Sequence, residues 1–298
     1  MDVETLWDGK KAYLPQKLSA LYLKELTTIE MLDHAKNYMR QENEEGPVGG
    51  QGIKETHIHF AERFSNSCIR LQYVLIDPNE KFGNVPENFF STFSTGKIAL
   101  LDAPCGTGAG ALSLLYTLKE LRVHKKLPQL PLEIEILACD FSESARSMYS
   151  KLLDEAIPEL ATVDINVVYT IRAWDAFSMP STTLLMRDFV KLDCEEFFVL
   201  VSAFSGIDKK NYQKLDNSLT HIQMSLSPEQ YTVVHVEPST RNARSLFSRL
   251  KNIFMLIFTS ASSHEQYRCE ERFLWLDPVN GRDAKSTVSV SINSRNKA

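Results

Sequence analysis

A chain of 298 residues, 43% hydrophobic and 24% charged, can bury a substantial core and suits one large folded domain or a domain with an appendage. Its formal net charge of -5 supplies no broad basic surface of the kind that non-specific nucleic-acid binding uses, although a local basic patch stays open. Cys68, Cys105, Cys139, Cys194 and Cys269 are scattered without a C-x-x-C pair, so neither a disulfide framework nor a zinc ribbon is expected, and a reducing cytoplasm fits. The N-terminus, MDVETLWDGKK, is acidic where a secretory peptide would be basic. Runs such as Ile253–Phe258 are too short to span a bilayer, so a cytoplasmic protein with no membrane partner is expected.

From about Lys17 to Glu42, apolar residues Leu18, Leu21, Tyr22, Ile29, Leu32 and Tyr38 recur at helical spacing, predicting one or two helices. The glycine-rich stretch from Glu44 to Gly52 breaks the pattern and is expected to be mobile. A further helix is predicted from Ile53 to Val74, followed by turn residues up to Phe90. Residues 1–95 thus read as a helical cap or substrate segment ahead of a core over 96–298.

After Lys97 short β-rich runs alternate with helical segments. The runs are Ile98–Ala103, Ile134–Cys139, Ile165–Thr170, Phe197–Ala203 and Thr232–Glu237, then Asn252–Thr259, Arg272–Leu276 and Thr287–Ile292. Helices are predicted over 109–124, 142–156, 181–191 and 208–226. This alternation implies right-handed crossovers and a mostly parallel sheet with helices on both faces, closed by an antiparallel hairpin at its edge.

In such sheets ligands bind beyond the carboxyl ends of the strands, where the strand order reverses. The stretch LLDAPCGTG ends a strand at Asp102 and enters a turn with Gly106 and Gly108, whose freedom at positive φ allows close backbone approach ahead of a helix N-terminus. The glycines alone also fit a dinucleotide. Asp102, however, would repel a pyrophosphate and attract an ammonium group. The second strand ends at Asp140, which can accept both hydroxyls of a ribose, with Phe141 beside it for a purine ring and Ser142 as the N-cap of the next helix. The third ends in RAWDAF, where Asp175 can accept from an exocyclic amine with Trp174 or Phe177 near the base. An amino acid, a ribose and an adenine together make S-adenosylmethionine.

LLDAPCGTG, ILACDFSESA and RAWDAF together resemble motifs I, II and III of class I S-adenosylmethionine-dependent methyltransferases, and the element order over about 60–293 resembles their Rossmann-like seven-stranded fold. The resemblance implies that Asp102 and the Gly106–Gly108 turn, with Ala103 and Cys105 inside it, contact the methionine part of the cofactor. It likewise implies Asp140 for the ribose, with Phe141 adjoining, and Asp175 with Ala176 for the adenine, near Trp174. Tyr231–Leu250, with its Val-Glu-Pro strand end, is similar to methyltransferase-like proteins of the small ribosomal subunit, without their iron–sulfur cysteines, and keeps RNA open as a substrate.

The acceptor side is less marked. The fourth strand lacks the Asn-Pro-Pro-Tyr type of motif, and Ser202, Phe204 and Ser205 are left to line an acceptor pocket, Ser202 also bordering the cofactor. Glu237 is the one carboxylate among the strand ends on that side and the candidate to orient or deprotonate the acceptor. His57 and His59 lie at i and i+2, so on a helix they face different sides. That spacing disfavours a shared metal and leaves one of them a substrate-side role beside the plain surface reading. Arg241 and Arg244 share a helical face as a solvated or anion-contacting patch. The expected function is methyl transfer to an unidentified acceptor, a small molecule ahead of RNA or protein. The alternative is a methyltransferase-like protein that binds the cofactor but acts through interaction.

Overall fold

The computed structural model describes residues 3–42, 52–202, 204, 211–226, 229–257 and 264–295. Nine helices and eight strands are assigned among them. The helices are α1 (Gln16–Thr28), α2 (Leu32–Asn37), α3 (Ile53–Ile76), α4 (Val85–Thr92), α5 (Ala109–Val123), α6 (Glu143–Ala161), α7 (Met179–Phe189), α8 (Tyr212–Leu226) and α9 (Arg241–Ile257). The strands are β1 (Lys11–Ala12), β2 (Gly96–Asp102), β3 (Leu132–Asp140), β4 (Ile165–Ala173), β5 (Glu196–Ser202), β6 (Tyr231–Glu237), β7 (His264–Leu276) and β8 (Asp283–Arg295).

All eight strands form one sheet in the order β1-β7-β8-β6-β5-β2-β3-β4. β2 lies parallel to β3 on one side and to β5 on the other, so the chain order reverses at β2. The two closing strands form the expected antiparallel hairpin, and β8 runs antiparallel to β6. The seven-stranded expectation is exceeded by one. Lys11 and Ala12 pair in parallel with Leu274 and Trp275, and Lys11 Nζ reaches Asp283 Oδ1 at 2.8 Å. A two-residue strand without an alternating apolar run leaves no periodic signal to read.

Two apolar layers hold the sheet. On one face α1, α3, α4, α5 and α6 pack through residues such as Tyr22, Phe60, Phe64, Leu115 and Tyr149; on the other α7, α8 and α9 pack through Met186, Leu219, Leu246 and Phe247. β2 is buried along Ile98–Asp102 because both faces are covered, which is why its sequence runs apolar without alternation. The predicted strand Asn252–Thr259 is corrected: residues 252–257 belong to α9. The run from Ile253 reads as β-rich by itself but continues the helical spacing of the buried Ala243, Leu246, Phe247 and Leu250. Part of the predicted turn before the motif is likewise helical, as α4, with Pro86 tolerated in its first turn.

Arg40 fastens the N-terminal segment to this body. Its Nε meets Asp277 Oδ2 at 2.9 Å in the β7–β8 turn, and its Nη1 donates to the Ala61 and Glu62 carbonyls of α3 at 2.8 and 2.6 Å. The ion pair is buried and fully dressed with hydrogen bonds, as a buried charge must be.

Candidate functional site at the carboxyl end of the central strands

At the end of β2 the chain turns through Gly106 (φ 49°) and Gly108 (φ 86°) into α5, which no side chain caps. The two glycines have different surroundings. A Cβ on Gly108 would lie 2.1 Å from the ring of Tyr149, so that ring packs directly on the turn's backbone. A Cβ on Gly106 would meet nothing within 4 Å. One side of the turn is braced and the other is an open cradle.

Asp102 is fully buried behind this turn; no donor meets its carboxylate oxygens at full hydrogen-bond geometry, although the Tyr149 hydroxyl and the Ala111 amide lie close enough to act on its pKa. The Tyr149 hydroxyl, also buried, has no partner at full geometry either. Burial pushes the Asp102 pKa up to about 8; the Asp140 charge adds to the rise, while the Tyr149 hydroxyl and the Ala111 amide pull against it. A buried carboxyl beside an open backbone cradle has the chemistry to accept from a donor, a cationic one above all.

Asp140, at the end of β3, joins two loops. Its Oδ2 accepts the Gly106 N–H at 2.9 Å and its Oδ1 accepts the Ser142 N–H at 2.8 Å. Burial raises its pKa, with these two donors opposing the shift. Two further lone pairs remain on the carboxylate for a ligand. Ser142 caps α6 as predicted, its Oγ accepting from the Ala145 N–H. Phe141 projects at 65% exposure, the most open aromatic ring in this region. Cys105 is buried in the turn, its N–H donating to the Cys139 carbonyl at 2.8 Å and its thiol pushed well up by burial. The Ala103 N–H donates to the Leu200 carbonyl at 3.0 Å, tying the turn to β5.

At the end of β4 the Trp174 N–H donates to the Asp140 carbonyl at 3.1 Å, drawing the third strand end to the second. The indole itself points inward: it is buried, bonds Thr182 Oγ1 at 3.1 Å through Nε1 and stacks near Phe204 at 6.3 Å between centroids. Asp175 Oδ1 accepts the Phe177 N–H at 2.9 Å, and Asp175, Ala176 and Phe177 are all half-buried at the rim.

On the β5 and β6 side, Ser202 backs the first turn of α5, its Oγ 3.0 Å from where a Cβ of Gly110 would stand. Glu237 is fully buried, and its Oε1 accepts the Phe204 N–H at 2.5 Å. This carboxylate therefore fixes the chain where it leaves β5. Ser205 and residues 43–51 of the expected glycine loop lie outside the described residues. Arg241 is exposed, and Arg244 pairs with Glu270 at 3.0 Å on a solvated face. No His, Cys, Asp and Glu group of three or more able to hold a metal occurs among the described residues, and no helix there is long and apolar enough to cross a membrane.

Two features left no mark in the sequence reading. One is Tyr149, which looks like an ordinary apolar-face residue of α6. The other is Thr56 of α3, whose Oγ1 meets Ser144 Oγ at 2.5 Å and so seats the start of α3 beside the Asp140 turn.

No family model matches the chain, and no curated protein matches it. Solved structures do. Loganic acid methyltransferase with SAH is similar at 9% identity and a TM-score of 0.44, over 85% of this chain and 98% of that one. Precorrin-6y C5,15-methyltransferase from Geobacter metallireducens is similar at 8% identity and a TM-score of 0.37, over 72% and 87%. A precorrin 8W decarboxylase from Methanobacterium thermoautotrophicum is similar at 15% identity and a TM-score of 0.38, over 72% and 90%. At such values the functional reading rests on this chain's own residues.

Proposed function

We propose that the chain binds S-adenosylmethionine across the carboxyl ends of β2, β3 and β4 and transfers its methyl group to an acceptor held on the β5–β6 side. The observation that carries this reading is the buried Asp102 carboxyl, met by no donor at full hydrogen-bond geometry, beside the open backbone of Gly106. An α-ammonium group supplies the donors that Asp102 lacks, and a pyrophosphate supplies only further negative charge. Asp140, with lone pairs to spare beyond the Gly106 and Ser142 amides, is suited to ribose hydroxyls, and the exposed Phe141 ring to one face of the adenine. Asp175 and Ala176 at the rim complete the adenine side.

The arrangement of the sheet supports the reading. Apart from β1, the seven strands follow one parallel succession with a single antiparallel member, β8, inserted beside β6, and their order reverses at the strand that bears the glycine turn. This order agrees with the Rossmann-like core that the motif resemblance implies, with one strand more.

The bound cofactor supplies an electrophilic methyl on a sulfonium; the chain supplies position and exclusion of water. The braced Gly108 and the tie from Ala103 to Leu200 fix the turn, and Glu237 holds Phe204 where the acceptor side begins. Prepaid orientation of this kind carries much of the barrier in a displacement with a good leaving group. A small-molecule acceptor is favoured over RNA, since two of the basic residues of α9 are already engaged, Arg244 by Glu270 and Arg249 by Asp216. Calorimetry with S-adenosylmethionine, S-adenosylhomocysteine and NADPH tests the reading: the two adenosyl ligands bind and NADPH does not.

A further inference from the structure

α3 passes in front of the glycine turn, and its contacts fix its course. Near its start Thr56 touches Ser144 at the β3–α6 turn. Further on, Cys68 Sγ donates to the Ala109 carbonyl at the start of α5, Asn66 Oδ1 accepts from Ser286 Oγ at 2.7 Å, and Arg70 Nε donates to the Thr287 carbonyl at 3.0 Å. Thr287 Oγ1 in turn accepts the Ser239 N–H, just past Glu237. The stretch from Thr56 to Asn66 spans about 15 Å, roughly three strand spacings. In the sheet order β2, β5 and β6 lie between β3 and β8, beside which these anchors sit.

His59 and Arg63 lie in that interval. Counting at 3.6 residues per turn, 59, 63, 66 and 70 form one stripe, and Asn66 and Arg70 show that the stripe faces the carboxyl edge of the sheet. His57 falls on another side, as its spacing predicts. His59 is half-buried, and neither ring nitrogen makes a hydrogen bond among the described residues.

We propose that His59 is the acceptor-side base, and that the acceptor is a weakly acidic hydroxyl, a phenol or an enol, whose oxyanion forms in the field of Arg63. This rests on the cofactor reading above and extends it to the substrate. The acceptor oxygen gives its proton to a ring nitrogen of His59 and takes the methyl carbon; the carbon–sulfur bond breaks with its electron pair left on sulfur.

The neighbouring charges select this class. His59 is held neutral, its pKa lowered to about 4 by desolvation first and by Arg63 second, with Glu62 opposing. Glu62 Oε1 lies 3.0 Å from His34 Nε2. An oxyanion arriving beside Arg63 offsets the charge that depresses the imidazole and raises its basicity as it is needed. A protonated amine would be repelled by Arg63 and by a sulfonium together. A carboxylate arrives deprotonated and requires no base, and an aliphatic alcohol is too weak an acid beside imidazolium for efficient transfer.

The probe is 4-nitrophenol, whose anion is coloured and whose neutral form is not. With S-adenosylhomocysteine bound at about pH 6, the wild-type protein should bind the probe and ionise it; His59→Gln should leave it neutral, and Arg63→Met should weaken its ionisation. In a second arm, labelled S-adenosylmethionine is offered phenols, alcohols, carboxylates and amines: phenols should be methylated, and His59→Gln should lower that rate about 100-fold or more with cofactor affinity unchanged. No bound or ionised probe in the wild type, equal ionisation in His59→Gln, or methylation confined to carboxylates or amines each overturns the proposal. Absence of S-adenosylhomocysteine binding would instead overturn the cofactor reading, so the two failures are told apart.

Discussion

The Gly106 N–H and the Asp140 carboxylate, 2.9 Å apart, join the glycine turn after β2 to the turn after β3, so one side chain sets the spacing of the two loops. Asp140→Ala removes that link and, on the proposed reading, the ribose acceptor with it. Affinity for S-adenosylmethionine should fall by about 1.5–3 kcal/mol, the scale of charge-assisted hydrogen bonds. Calorimetry measures it; wild-type affinity in the variant would separate Asp140 from the cofactor.

The two glycines of the turn should respond in opposite ways. Gly108→Ala drives a Cβ into the Tyr149 ring at a φ of 86°, so it should lower the melting temperature. Gly106→Ala meets no atom and should lose only about 1–2 kcal/mol to left-handed backbone strain at a φ of 49°, yet bind the cofactor poorly, its methyl group filling the cradle. Thermal melts paired with calorimetry distinguish a turn built for stability from one built for a ligand.

Asp102 should imprint a pH dependence on stability. Its folded pKa, about 8, lies above the ordinary carboxyl value near 3.9, so the folded state holds its proton more tightly than the unfolded chain. Its contribution to the stability of the ligand-free protein should therefore fall as pH rises from about 4 to about 8, then level off. Asp102→Asn should flatten that slope; denaturant titrations across this range read it out, and an unaltered slope would mean that another group carries it.

Glu237 separates by substitution. Glu237→Ala leaves the Phe204 N–H without its acceptor and should cost about 1–3 kcal/mol of stability. Glu237→Gln keeps an acceptor oxygen and should restore most of it. A single-turnover methylation rate that drops in Glu237→Gln, with cofactor affinity unchanged, would add deprotonation of the acceptor to its positioning role.

Much of this was legible in sequence because the central strands are covered on both faces and read as apolar runs ending in carboxylates, as at Asp102 and Asp140. Predicted and observed bounds of β2, β3, β5 and β6 agree to within two residues. β1 was not legible because two residues carry no period. α9 was misread at its end because Ile253–Phe258 satisfies strand and helix alike, and only continuity with Leu246 and Leu250 decides. Within the site, residue types that suit a cofactor could be named in advance. The inward turn of Trp174, the engagement of Glu237 by Phe204 and the seat of Tyr149 on Gly108 depend on which neighbours arrive from other elements.

The central claim, that Asp102 receives the ammonium group of an adenosyl amino acid, is tested most directly by calorimetric titration of S-adenosylmethionine in two buffers of different ionisation enthalpy. An arriving cation should ionise the buried carboxyl, so binding near pH 7 should release a proton and tighten as pH rises toward 8, and Asp102→Asn should abolish the release. Binding of NADPH in place of S-adenosylmethionine, or adenosyl binding with no proton release in either buffer, would contradict it.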